Sequence, residues 1–290
     1  MAWIQLTLVT DQANNQQAEE VLLDAGALSV TFKDAEDNPV LEPAPGETPL
    51  WDKLIITGLY EAETDIHFLQ QHIYQHLGQD INLRIEPLEE KDWVRAWMDN
   101  YKPMQFGNRL WVCPNHLQPP QPEAVNLMLD PGLAFGTGTH PTTALCLQWL
   151  NDASLEKKMI LDYGCGSGVL GIAALMLNAQ HCDAVDIDPQ ALEATLANAQ
   201  ANAVNNNISV MKPEQLPEKQ YDIVIANILA GPLIELAPSL SQQTKTGGHI
   251  ILSGILESQA ESIQNTYQQW FKIDSVINHD EWIRITGTKL

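Results

Sequence analysis

The chain is short of positive charge. Its 290 residues hold 15 lysines and arginines against 37 acids, a formal net charge of −22. A surface of that sign repels bare nucleic acid and attracts basic partners, so no direct nucleic-acid binding is expected. The shortage is uneven, because 19 of the 37 acids but only 5 of the 15 bases fall in residues 1–100. No run of about 18 apolar residues occurs, and no membrane-spanning helix is expected. The opening Met-Ala-Trp-Ile-Gln-Leu lacks the basic segment of an export signal. Four cysteines, Cys113, Cys146, Cys165 and Cys182, form no C-x-x-C pair and no disulfide-like spacing. That argues against a zinc site and fits a reducing interior, so a cytoplasmic location is expected. His72 and His76 stand four apart on a predicted helix but have no third ligand in register, so no metal is expected either. Internal repeats and low-complexity tracts are also absent.

What is present centres on Ile160-Leu-Asp-Tyr-Gly-Cys-Gly-Ser-Gly-Val-Leu-Gly171 and Ala184-Val-Asp-Ile-Asp-Pro189. Together they describe a strand, a glycine turn, a helix and a second strand ending in an acid. Gly164, Gly166 and Gly168 let the backbone turn sharply and approach a ligand where a Cβ would collide. Asp186 follows Gly164 by 22 residues, the interval at which a doubly wound fold places an acid on ribose hydroxyls. The dinucleotide fingerprint reads G-x-G-x-x-G, whereas this loop reads G-x-G-x-G with Asp162 two residues ahead of it. A negative charge there would repel a diphosphate and suits a cofactor bearing an amino group and a sulfonium. The loop is therefore read as a site for S-adenosylmethionine.

Hydrophobic periodicity divides the chain. Strands are predicted at Ala2–Thr10, Ala27–Lys33, Lys53–Tyr60 and Asn82–Leu88, with helices at Gln12–Ala25 and Asp65–Leu77. This βαββαβ order over residues 1–88 predicts an α+β ferredoxin-like domain. A proline-bearing loop with Pro39, Pro43, Pro45 and Pro49 interrupts it. Residues 89–103 read as a helical linker closed by Lys102-Pro103, with Trp93 and Trp97 read as packing anchors between domains in preference to contacts for a partner.

Residues 104–290 predict an α/β, doubly wound, Rossmann-like domain. Its strands are placed at 110–113, 125–129, 159–163, 182–187, 208–211, 222–226, 248–253, 271–277 and 281–288. Helices are placed at 142–150, 168–178, 189–203, 230–240 and 257–270. The last two strands have no helix between them and imply a hairpin. An antiparallel last strand on a parallel sheet marks the methyltransferase variant of this architecture.

A second motif, Asp222-Ile-Val-Ile-Ala-Asn227-Ile-Leu-Ala-Gly-Pro-Leu233, places Asn227 at a strand's carboxyl end, where open α/β sheets bind ligands. Its side-chain carbonyl can accept from an amine and aim the nitrogen lone pair at an electrophilic methyl. Asn227 is thus the candidate catalytic residue. Gly132 to Thr143 has the composition of a lid, with Phe135, Gly136, Thr139 and His140 as closing or substrate-positioning residues. Thr142 and Thr143 sit where a helix should begin, and Thr143 serves either as a cap or toward the cofactor's carboxylate. Glu214 or Gln215 is placed to reach an adenine amino group.

These motifs, with Leu129-Asp-Pro-Gly-Leu-Ala-Phe-Gly-Thr-Gly-Thr-His-Pro-Thr-Thr143, closely resemble the PrmA family, the methyltransferases of ribosomal protein L11, over the whole chain. The resemblance implies cofactor contacts at Thr143, Gly164, Asp186 and Asn227; Asp162, Gly166 and Gly168 join them from the loop itself. It also implies methylation of lysine side chains and the N-terminal α-amine of ribosomal protein L11, recognised through the front domain. A monomer acting on the free substrate is expected. The alternatives left open by the residues alone are another basic protein or a small amine as acceptor, and a cofactor-binding regulatory module without chemistry.

Overall fold

The computed structural model describes residues 3–36, 38, 40, 49–88, 101–129 and 138–290. The chain divides into two compact units, Met1–Ala96 and Trp97–Leu290. The linker helix expected over 89–103, with Trp93 and Trp97, lies almost wholly outside the described residues, as do Pro39, Pro43 and Pro45.

The first unit runs β1 (Trp3–Asp11), α1 (Asn15–Asp24), β2 (Ser29–Asp34), β3 (Lys53–Glu61), α2 (Ile66–Leu77), β4 (Leu83–Leu88). The antiparallel sheet has the order β2-β3-β1-β4, as the ferredoxin-like reading requires. Alternate residues of β1, Ile4, Leu6 and Leu8, face a core completed by Val21 and Leu22 of α1 and Leu69 and Ile73 of α2. Helix α1 begins three residues later than expected. The Asp11 carboxylate accepts from the Asn14 backbone N–H at 2.9 Å and its side-chain amide at 2.8 Å, folding residues 12–14 into a turn. Asp65 caps α2 by accepting from the N–H groups of His67 and Phe68 rather than lying within it.

The second unit opens with a three-stranded sheet of β5 (Met104–Phe106), β6 (Leu110–Pro114) and β7 (Val125–Leu129). β5 is unforeseen, since three residues are too few to show alternation. Then follow α3 (Pro141–Asp152), β8 (Met159–Tyr163), α4 (Val169–Met176), β9 (His181–Val185), α5 (Pro189–Ala201), β10 (Ile208–Met211), β11 (Tyr221–Asn227), α6 (Ala230–Gln243), β12 (Thr244–Leu256), α7 (Ala260–Tyr267), β13 (Phe271–His279) and β14 (Trp282–Lys289).

These last strands form a seven-stranded sheet ordered β10-β9-β8-β11-β12-β14-β13. All neighbours from β10 to β12 run parallel, and β14 enters antiparallel between β12 and β13. Both faces are covered, so successive residues feed two different cores. Ile160, Ile223 and Ile225 pack with Leu147, Leu150 and Ile172, whereas Leu161, Val224 and Ala226 pack with Leu233, Leu240 and Tyr267.

Several boundaries differ from the sequence expectation for identifiable reasons. α4 starts at Val169 because Gly168 is left-handed at φ +79°, and it has ended before Asn178, left-handed at φ +77°. The helix expected over 257–270 is a 3₁₀ turn, Glu257–Gln259, followed by α7; the Gln259 side chain accepts from the Leu256 N–H at 2.8 Å. β12 is longer than 248–253 because β11 pairs with its start at Thr244 and β14 with its end at Leu256.

Candidate active site

The carboxyl ends of β8, β9 and β11 meet at the glycine turn. Gly164, Gly166 and Gly168 all have positive φ, +78°, +54° and +79°, a region costly for any residue with a Cβ. The turn is tied to β9 by the N–H groups of Gly164 and Cys165, which both donate to the Val185 carbonyl at 2.7 and 3.0 Å. Asp186 lies at the end of β9, and its carboxylate accepts from the Gly166 N–H at 2.9 Å and the Asp188 N–H at 3.0 Å. The acid expected to hold ribose hydroxyls therefore also fixes the loop.

Asp162 is differently placed from the expectation of an acid facing the cofactor. It is 1% exposed, and one oxygen accepts from the Gly171 N–H inside α4 at 2.8 Å. The other is buried without a hydrogen-bond partner among the described residues. Burial pushes the carboxyl up to about 7, partly offset by the Gly171 N–H, with nearby Asp186 adding to the rise. The group thus sits beneath the loop, bracing the turn of α4.

Residues that periodicity did not single out complete the support. On α5, Thr195 donates from Oγ1 to the Gly166 carbonyl at 3.0 Å, and Asn198 donates to the Ser167 carbonyl at 2.9 Å. Asn202, at the end of the same helix, pairs with both the N–H and the carbonyl of Met128 in β7. The spacing 195, 198, 202 is a polar stripe of helical period on a buried face; that pattern was the available signal.

At the other side of the crevice, α3 is capped by His140, not by Thr142 or Thr143. The His140 Nδ1 lies 2.7 Å from the Thr142 hydroxyl and accepts from the Thr142 N–H at 3.4 Å. Its ring meets Trp282 edge-on at 4.9 Å, and burial lowers its pKa. Thr143 is buried, and its hydroxyl accepts from the Asn227 side-chain amide at 3.3 Å. The remaining face of that amide is informative: Asn227 Oδ1 is buried and has no hydrogen-bond partner among the described residues. A carbonyl oxygen held at a strand end with its lone pairs unused is an acceptor awaiting a donor.

Thr139 is exposed, and Phe135 and Gly136 of the expected lid lie outside the described residues. Gln215 is engaged locally, accepting from the Lys212 N–H at 3.0 Å, while Glu214 is exposed and close enough to Tyr163 to contribute, after burial, to raising its pKa. His72 and His76 stack with ring centroids 4.4 Å apart. Among the described residues no group of three or more His, Cys, Asp or Glu could hold a metal. All four cysteines are buried and free. A cavity of about 540 Å³ lined by Trp149, Lys158, Ile223, His249 and Arg284 involves the beginnings of strands β8 and β11, away from this crevice.

A parallel sheet with one antiparallel strand inserted near its edge, a glycine turn after β8, an acid at the end of β9 and a buried amide acceptor at the end of β11 define a Rossmann-like S-adenosylmethionine-dependent methyltransferase. The turn admits only glycine at two of its positions, because a Cβ at Gly164 would collide with Ile228 and one at Gly168 with Thr195, and all three glycines have positive φ. The chain belongs to the ribosomal protein L11 methyltransferase (PrmA) family, whose family model matches residues 2–290. It is 52% identical to the ribosomal protein L11 methyltransferase of Marinomonas sp., over all of this chain and 99% of that protein. Against the protein of the same name from Klebsiella pneumoniae it is 52% identical over the full length of both. The crystal structure of the ribosomal protein L11 methylase from Lactobacillus delbrueckii subsp. bulgaricus is similar with a TM-score of 0.61 at 31% identity. That match covers 65% of this chain and 99% of the other.

Proposed function

We propose that this enzyme transfers methyl groups to lysine side chains and the N-terminal α-amine of ribosomal protein L11. The observation that carries the chemistry is the unpartnered Oδ1 of Asn227 at the carboxyl end of β11. S-adenosylmethionine supplies an electrophilic methyl on a sulfonium. The chain's own task is to hold a neutral amine in line with it and to exclude water. Asn227 Oδ1 accepts one amine hydrogen and so directs the nitrogen lone pair, while Thr143 fixes the amide from behind. Asp186 holds ribose hydroxyls, Gly164, Gly166 and Gly168 give the backbone its close approach, and Asp162 acts from beneath as a positioning residue. No strong base is needed for an α-amine, whose pKa of about 7.7–8.0 leaves part of it neutral, whereas a lysine near about 10.4 must lose its proton to desolvation. His140, spent on the helix cap, is a positioning residue with its pKa lowered by burial.

In this reading residues 1–88 recognise the substrate, 89–103 link, and 104–290 carry the reaction. The monomer acts in the cytoplasm on free ribosomal protein L11. The acidic balance supports a basic protein partner without direct contact to nucleic acid.

Mass spectrometry of purified ribosomal protein L11 after incubation with the full chain and S-adenosylmethionine tests the reading. Methyl-sized mass steps are expected with the wild type. With Asn227→Ala they should be lost while calorimetric cofactor affinity is largely kept. Normal turnover of that variant would refute the role of Asn227, and absence of transfer by the wild type would refute the substrate.

A further inference from the structure

We infer that Ile228 is a positioning residue that sets the spacing between the cofactor loop and the amine-holding end of β11. β11 lies between β8 and β12, with Ala226 paired to Tyr163 on one side and Asn227 to Ser253 on the other. One residue further, Ile228 falls between Gly164 and Gly254. Both flanking glycines are left-handed, at φ +78° and +81°.

The two glycines make room for different parts of the same residue. A Cβ on Gly164 would stand 2.2 Å from Ile228 Cγ2. A Cβ on Gly254 would stand 2.4 Å from the Ile228 carbonyl oxygen and 2.7 Å from its carbonyl carbon. The space at Gly254 comes from a bulge: the register of β12 against β14 shifts between Leu252 and Ile255, and the Ser253 hydroxyl donates to the Ile283 carbonyl at 2.9 Å. Ile228 is thus gripped by its side chain toward the cofactor loop and by its main chain toward β12.

That grip fixes the peptide directly after Asn227. A slide of Ile228 along the strand direction would carry the Asn227 amide with it, changing the distance from donor to acceptor. A misplacement of about 1 Å is enough to cost a transfer reaction about 100-fold. The inference rests on the proposed reading of Asn227 for its catalytic consequence, but the contact with Gly164 does not depend on it.

The test uses the full-length enzyme, calorimetry with S-adenosylmethionine and single-turnover methylation of ribosomal protein L11. Gly164→Ala should bind the cofactor about tenfold or more weakly. Adding Ile228→Ala, which removes Cγ2, should recover a large part of that loss; adding Ile228→Val, which keeps a methyl at that place, should not. The left-handed backbone makes the recovery partial. Ile228→Ala alone should lower the transfer rate about tenfold or more at saturating cofactor at a temperature where the variant is fully folded, with cofactor affinity nearly unchanged, the thermal midpoint lowered by the lost packing and Ile228→Val close to wild type. Equal recovery with valine, no recovery with alanine, or wild-type transfer by Ile228→Ala would overturn the inference. Should Asn227→Ala also transfer normally, the amine-holding role falls while the alanine-specific rescue of cofactor affinity still supports the contact.

Discussion

Asp162 is the residue whose environment departs furthest from what its identity suggests. A carboxylate two residues before a glycine loop reads, in sequence, as charge offered to a cationic cofactor. In the fold it is a buried group with one oxygen on the Gly171 N–H and the other unpartnered, raised to about 7 chiefly by burial. Its unfolded value is about 3.9, so between about pH 4 and 7 the folded state retains a proton that the unfolded chain releases. The contribution is full below that window and is lost as pH rises through it, amounting to about 4 kcal/mol at most. Asp162→Asn should flatten the pH dependence of the urea midpoint between about pH 4 and 7. A variant with an unchanged slope would show that another group titrates there. Asp183 has the opposite sign: burial alone would raise it, but hydrogen bonds from Lys219, Tyr221 and His181 outweigh this and hold it below the ordinary value.

At the scale of elements, periodicity and turn chemistry made the order of strands and helices legible, including the terminal hairpin. Boundaries were legible only where one rule acted alone. Pro189 behind Asp188 starts α5 where expected, with Asp188 accepting from the Gln190 N–H. At α1, α3 and α7 a side chain of Asp11, His140 or Gln259 competes for the backbone groups and moves the helix start. The glycine turn and Asp186 were legible because the strand, the three alternate glycines and the acid ending the next strand stand at a fixed spacing in one continuous stretch. Thr195, Asn198 and Ile228 were not, since their partners lie on other elements, distant in sequence. The α5 stripe gives a prediction of its own. Asn198→Ala removes the buried amide on the Ser167 carbonyl and should cost about 1–3 kcal/mol in denaturant unfolding, with a weaker cofactor affinity measured by calorimetry. Unchanged affinity would mean that the loop holds its shape without α5.

For the whole molecule, the acidic excess sets the terms of encounter with a basic protein. The association rate with ribosomal protein L11 should fall steeply as salt rises, while the dissociation rate changes little; stopped-flow fluorescence would separate the two. A salt-independent association rate would show that the excess serves solubility instead. No described helix is long and apolar enough to cross a membrane. The sheet order also bears on how the second unit is made. Among the described residues β13 pairs only with β14, which connects it to β12. During synthesis β13 emerges from the ribosome before residues 282–289 exist outside the tunnel, so for that interval it has no ladder to join and β12 keeps an open edge. The edge of this sheet is therefore completed in reverse of chain order, the later strand β14 having to arrive before the earlier strand β13 can join β12 through it.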